Sequence, residues 1–220
     1  MSAISIQISR TMHFTRIFGG RRKIESLVAI ALFYTVLSFS YSFVGFLHYQ
    51  PGSHFHEYAF AKLAIEIGGH FIFGFAAAIP LLDFGVAILA GSLAVLLDSD
   101  HILSALNFPV SGRPDHSLLF MLVSTLLILY LGSRMRLSRN LILKLVFVGP
   151  VTLLAHISYD VFAASGSTFQ LLIPFDFAQI YLPYYAWAVF EAAALLLSFL
   201  GLYLSRLSTS QTKTVRNVMC

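Results

Sequence analysis

Four short stretches of this chain bring metal-affine or acid–base side chains within a few positions of one another. Leu-Leu-Asp-Ser-Asp-His occupies 96–101, Asp115-His116-Ser117 follows, and His156 and Asp160 stand four residues apart. Lys62, Glu66 and His70 form a fourth set at the same spacing. Positions i and i+4 share one face of a helix, so each such pair points in one direction. Two ligands at that spacing can grip a single ion, the geometry behind helical His-x-x-x-His zinc sites. Imidazole with carboxylate suits Zn²⁺, Mn²⁺ or Fe²⁺. The one cysteine, Cys220, is the last residue, so neither a thiolate zinc set nor an intrachain disulfide is available. A catalytic metal of this class keeps a position open for water and lowers its pKa toward ~7. Several acidic ligands leave room for two adjacent metals. Glu66 and Glu191 are candidate supporting partners or general bases.

Each residue also has a plainer role. His70 alone is a packing histidine with a hydrogen bond. His156 and Asp160 can hydrogen-bond and hold two helices together. Asp98 can simply end a helix at the interface, and Lys62 with Glu66 reads as an ion pair within one helix. Taken together these roles explain less, because ionisable groups at membrane depth are costly and are functional by default.

The elements that must carry these residues are apolar helices. Of 220 residues, 58% are hydrophobic and 11% charged, and the mean hydropathy is +0.81. Soluble domains carry about 25% charged residues. Six spans can be drawn, at roughly 25–47, 58–80, 84–98, 117–133, 141–163 and 184–205. The fold class is therefore all-α, a polytopic membrane helical bundle of about six transmembrane helices. Arg21-Arg22-Lys23 before the first apolar run resembles a signal n-region. The run is too long for a signal core and lacks a cleavage site, so it reads as a retained helix. Pro80 with Asp83 marks a tight turn, and Gly132–Asn140 a short polar loop.

With six spans, twelve of the fourteen Lys and Arg fall on one side. Arg113 alone falls on the other, and Lys62 lies within a span. The positive-inside rule then puts both termini in the cytoplasm. The domain reading is a basic cytoplasmic segment 1–24, a membrane domain 25–206 whose core at 58–183 carries the candidate ligands, and a cytoplasmic tail 207–220. The net charge of +4 encodes orientation rather than nucleic-acid binding. His48, His54, His56 and Glu57, with Asp98 to His101, Asp115 and His116, all face outward in this layout.

Four motifs recur in order: Gly69-His70 with a small-residue tail, LLDSDH, Asp115-His116-Ser117-Leu118-Leu119, and AHISYDVFAASGSTFQLLIPF at 155–175. This order resembles the YdjM-like family of inner-membrane proteins described as metal-dependent hydrolases. That family is grouped with zinc-dependent phospholipase C and P1-type nucleases, which cleave phosphoesters. The resemblance implies metal ligands at His70, Asp98, Asp100, His101, His116, His156 and Asp160. Leu97 stands where the family has proline, Asp115 where it has threonine, and Gly112-Arg113-Pro114 departs from its Arg-Gly-x.

The resulting expectation is a cell-membrane hydrolase of phosphoester substrates, lipids among them, with an outward His/Asp site. The metal would be a divalent ion, Zn²⁺ first, with Glu66 or Asp100 as the catalytic base. The alternative is a non-catalytic subunit of a larger membrane complex that retains a polar cluster. A transporter ranks last, because no inverted repeat or pair of broken helices is present. The expected partners are the lipid bilayer, such a substrate or fellow subunits, and no nucleic acid.

Overall fold

The computed structural model describes residues 20–44, 60–105 and 113–218. Its helices are α1 (Arg21–Ser42), α2 (Phe60–Ala78), α3 (Phe84–Leu96), the short α4 (Ser99–Ala105), α5 (Leu118–Arg134), α6 (Arg139–Ala163) and α7 (Ala186–Val218). Among the described residues, five helical segments are long and apolar enough to cross a membrane, the third running from Phe84 to His101, and α5 is a shorter apolar helix. The expected helical membrane bundle is thus the observed one. His48, His54, His56 and Glu57 lie outside the described residues, as does the side chain of Lys62.

Helices α3 and α6 are the inner pair. Both are far more deeply buried than α1, α2 and α7. The outer helices present Leu32, Val36, Ile65, Leu196 and Phe199 outward, as lipid-facing helices must. Close approach of α2 to α3 depends on small residues. A Cβ on Gly74 would meet the Ala90 carbonyl at 2.9 Å, and one on Gly91 the Phe71 carbonyl at 2.8 Å.

Helix starts follow local chemistry. Asp83, Ser117 and Ser138 cap α3, α5 and α6 by accepting the amides of Val86, Phe120 and Leu141. The tight turn expected at Pro80 and Asp83 is a 3₁₀ turn, Ile79–Leu81, followed by Leu82 at φ 51°. Lys23 reaches across from α1 and donates to both Asp83 oxygens, at 2.6 and 2.7 Å. Part of the basic lead-in therefore staples two helices together.

Two features lie beyond the span pattern. Strands β1 (Gly166–Phe169) and β2 (Ile180–Pro183) pair antiparallel, with Gly166 opposite Pro183 and Phe169 opposite Ile180. The last helix runs on to Val218, well past the expected span end near 205, because no proline or glycine interrupts the polar stretch after Arg206.

Candidate metal centre

The cluster sits at one end of the bundle, where α3 ends, α5 begins and α6 ends. Gly69 brings α2 close to α6, since a Cβ there would collide with the Tyr159 ring. That approach puts His70 beside His156, their rings stacked with centroids 3.9 Å apart. Asp98 follows α3 in the turn before α4, and Asp100 and His101 occupy the first turn of α4. His116 closes the 3₁₀ turn Pro114–His116. His156 and Asp160 lie on one face of α6, as their spacing predicts.

These side chains converge. His70 Nε2 is 3.0 Å from Asp98 and 3.3 Å from Asp160. His156 Nε2 is 3.4 Å from Asp98 and 3.5 Å from Asp160. His116 Nε2 is 3.9 and 3.6 Å from the same two carboxylates. His101 Nε2 is 3.4 Å from Asp98. Three overlapping groups have ligand atoms within 4.8 Å of one another: His70, His156 and Asp160; Asp98, His116 and His156; and Asp98, Asp100 and His101. Four separate chain segments therefore contribute to one cluster that could hold a metal ion.

The hydrogen positions test whether a cation fits. His156 Nδ1 lies 2.7 Å from the Ala94 carbonyl, which can only accept, so this nitrogen carries the hydrogen. A neutral His156 then points a bare Nε2 lone pair into the cluster. Metal-binding histidines are oriented by this kind of outward hydrogen bond. His116 Nε2 faces His156 Nε2 at 2.6 Å. His70 Nε2 lies between the same two carboxylates. Imidazoles and carboxylates thus converge around a bare ring nitrogen, a donor set that fits a shared cation.

Electrostatics point the same way. Asp98, Asp100 and Asp160 carry three negative charges when ionised, and Arg113 is the one cation paired with them among the described residues. Arg113 donates to Asp160 at 2.6 Å and Asp98 at 2.9 Å, with Asp100 at 4.0 Å. Burial opposes the Arg113 charge, but the three carboxylates outweigh it and hold the guanidinium protonated. Burial, then the neighbouring guanidinium, drives the His116 pKa well below the usual histidine value, so its imidazole is neutral and can bind a metal.

Sequence reasoning did not assign Arg113 a role. Its signal was there: it is the one basic residue that the six-span layout sets on the side opposite the basic clusters. Phe169 of β1 packs 5.9 Å from the guanidinium and 6.0 Å from the His116 ring, so the hairpin lies over this part of the site.

All seven expected ligands are in or beside the cluster. Asp100 is buried, and its Oδ1 accepts the His101 amide at 2.9 Å. Glu66, one turn before His70, is half-buried, and no hydrogen bond or ion pair joins it to the cluster among the described residues. Glu191 lies on the opposite side of α6, towards Ser158, whose hydroxyl bonds the Trp187 carbonyl of α7. Asp115 faces away as well. Its Oδ2 accepts from Ser38, Ser42 and Ser99 at 2.8, 2.7 and 2.9 Å.

A family model described as YdjM inner membrane protein matches residues 65–218. The chain belongs to the YdjM inner membrane protein family. Neither the curated proteins nor the solved structures contain a match to it. The family segment includes all seven candidate ligands and Arg113 but not α1. As a YdjM family member with five such spans, the protein is an integral membrane protein.

Proposed function

We propose that this protein is a metal-dependent hydrolase of phosphoester bonds, acting at the membrane surface on lipid or other phosphoester substrates. The observation that carries the reading is the His116–His156 pair. Two ring nitrogens meet at 2.6 Å beside two carboxylates, and one of them is bare because its partner nitrogen is committed to Ala94. Nitrogen and oxygen donors without thiolate favour Zn²⁺, with Mn²⁺ or Fe²⁺ as alternatives. His70, His116, His156, Asp98 and Asp160 would hold the ion, and Asp100 with His101 would flank it. When bound, the metal supplies Lewis-acid polarisation of a phosphoryl oxygen and an activated water.

The chain's own groups suit the rest of the reaction. Arg113 presents a planar fork of N–H donors, which matches phosphate oxygens in pairs. Asp100, buried beside Arg113, is better placed than Glu66 to accept a proton. Outward orientation of the site follows from the distribution of basic residues.

A second reading is a non-catalytic subunit of a larger membrane complex. Arg113 favours it, because the guanidinium already bridges Asp98 and Asp160 and partly neutralises them without a metal.

The test is elemental analysis of detergent-purified protein, wild type and His156→Ala, followed by phosphodiester and phospholipid hydrolysis with Zn²⁺ or Mn²⁺. Stoichiometric metal in the wild type alone, with turnover, is the expected result. No stoichiometric metal sinks the hydrolase reading. Metal without turnover, together with stably co-purifying partners, supports the subunit.

A further inference from the structure

The end of the bundle away from the metal cluster holds more positive charge than its own carboxylates can match. Among the described acidic residues, only Glu25 of α1 and Asp83 before α3 lie there. Arg21 takes Glu25 at 2.7 Å, and Lys23 takes both oxygens of Asp83. Lys144 of α6 and Arg206 of α7 make no ion pair among the described residues.

Lys144 is more than nine-tenths buried. An ammonium has three hydrogens to donate. Its one hydrogen bond among the described residues is long, 3.4 Å to the Leu82 carbonyl. Asp83, Lys23 and Arg206 are the charged groups near enough to act on it, and two of these three repel it. A buried charge in that company is costly unless an anion meets it.

The packing brings these cations together. Gly201 lets α7 close on the 3₁₀ turn and on α6, since a Cβ there would stand 2.9 Å from both Leu81 and Phe147. Lys144 lies one turn before Phe147, and Arg206 just over one turn after Gly201. Leu82, whose carbonyl meets Lys144, is exposed, as are Tyr203 and Leu207 around Arg206. Lys144 and Asp160 stand 16 positions apart on α6, about 24 Å along the helix axis, so this is not the metal site.

We propose that Lys144 and Arg206 form a binding site for the phosphate of an anionic phospholipid, with the Lys23–Asp83 pair beside it. The two unmatched charges call for an anion from outside the chain. A phosphate offers acceptor oxygens both to the unused ammonium hydrogens and to the Arg206 fork. A lipid fits better than free phosphate, because the cations sit where apolar helices end and exposed apolar side chains flank them. Basic pockets between membrane helices take anionic headgroups in this way. The bound lipid joins α6, α7 and the turn before α3. It needs no metal and does not rest on the hydrolase reading.

The test is native mass spectrometry of the full chain in detergent, titrated with phosphatidylglycerol, with phosphatidylcholine, and with phosphatidylglycerol in the presence of inorganic phosphate. The expected result is saturable binding of phosphatidylglycerol, tighter than that of phosphatidylcholine and not displaced by equimolar phosphate. Arg206→Gln should weaken it about 5-fold, the worth of one cation at an anionic headgroup, and Lys144→Met at least as much. Arg134→Gln, an exposed change at the end of α5, should leave it unaltered, as should His156→Ala. If Lys144→Met fails to fold, Arg206→Gln decides. Equal affinity for the two lipids overturns the proposal. So does an equal loss in Arg134→Gln and Arg206→Gln, which would make the attraction diffuse. Binding lost in His156→Ala but kept in Arg206→Gln would move the lipid to the metal cluster, and displacement by equimolar phosphate would make the ligand the free anion; either result also overturns it.

Discussion

His156 hands one ring nitrogen to the Ala94 carbonyl at 2.7 Å and aims the other at His116 Nε2, 2.6 Å away. The backbone of α3 therefore selects which nitrogen of α6 faces the cluster. Removing the ring removes a ligand shared by two of the three possible groups. His156→Ala is expected to lower metal affinity by more than the about 10–100-fold typical of changes to outer hydrogen-bond partners. Elemental analysis and metal titration check this. Wild-type affinity in the variant would remove His156 from the site.

Arg113 should behave differently. It bridges Asp98 and Asp160 and is about a quarter exposed. Arg113→Met leaves two mostly buried carboxylates without their cation, a loss of about 3 kcal/mol, the low end for breaking a buried pair. Added Zn²⁺ should restore much of that stability, because metal and guanidinium compensate the same charge. Thermal unfolding with and without Zn²⁺ reads this. A variant as stable as wild type without metal would show that the bridge matters little.

Adjacent glycines predict opposite signs. A Cβ at Gly68 would point into open space, whereas one at Gly69 would run into the Tyr159 ring. Gly68→Ala should be neutral or stabilise by about 0.5–1 kcal/mol, through helix entropy. Gly69→Ala should destabilise by about 1–3 kcal/mol, through overpacking, and should also weaken metal binding by displacing His70. Equal melting temperatures for the two variants would count against the close α2–α6 approach.

Asp83 does two jobs, capping α3 through Val86 and pairing with Lys23. Asp83→Asn keeps a capping side chain and loses the charge pair, while Asp83→Ala loses both. The alanine variant should be less stable than the asparagine variant by about 1 kcal/mol, the usual value of an N-cap. Melting temperatures measured side by side settle the order, and a reversed order would deny the cap.

The spans and the pairing of His156 with Asp160 were legible in the chain itself. Apolar length and i, i+4 spacing are local properties, and a helix converts them directly into shape. The family motifs also marked the seven candidate ligands without any coordinates. Three things were decided only by tertiary structure. Arg113 became the counter-charge of the acidic cluster, Asp115 turned from the cluster to three serines, and Glu191 fell on the opposite side of α6. Each depends on partners dozens of residues away in the chain, such as Ser38 for Asp115 or Asp160 for Arg113. Local spacing says which way a side chain leaves its own helix, and only the packing of helices against one another says what it meets.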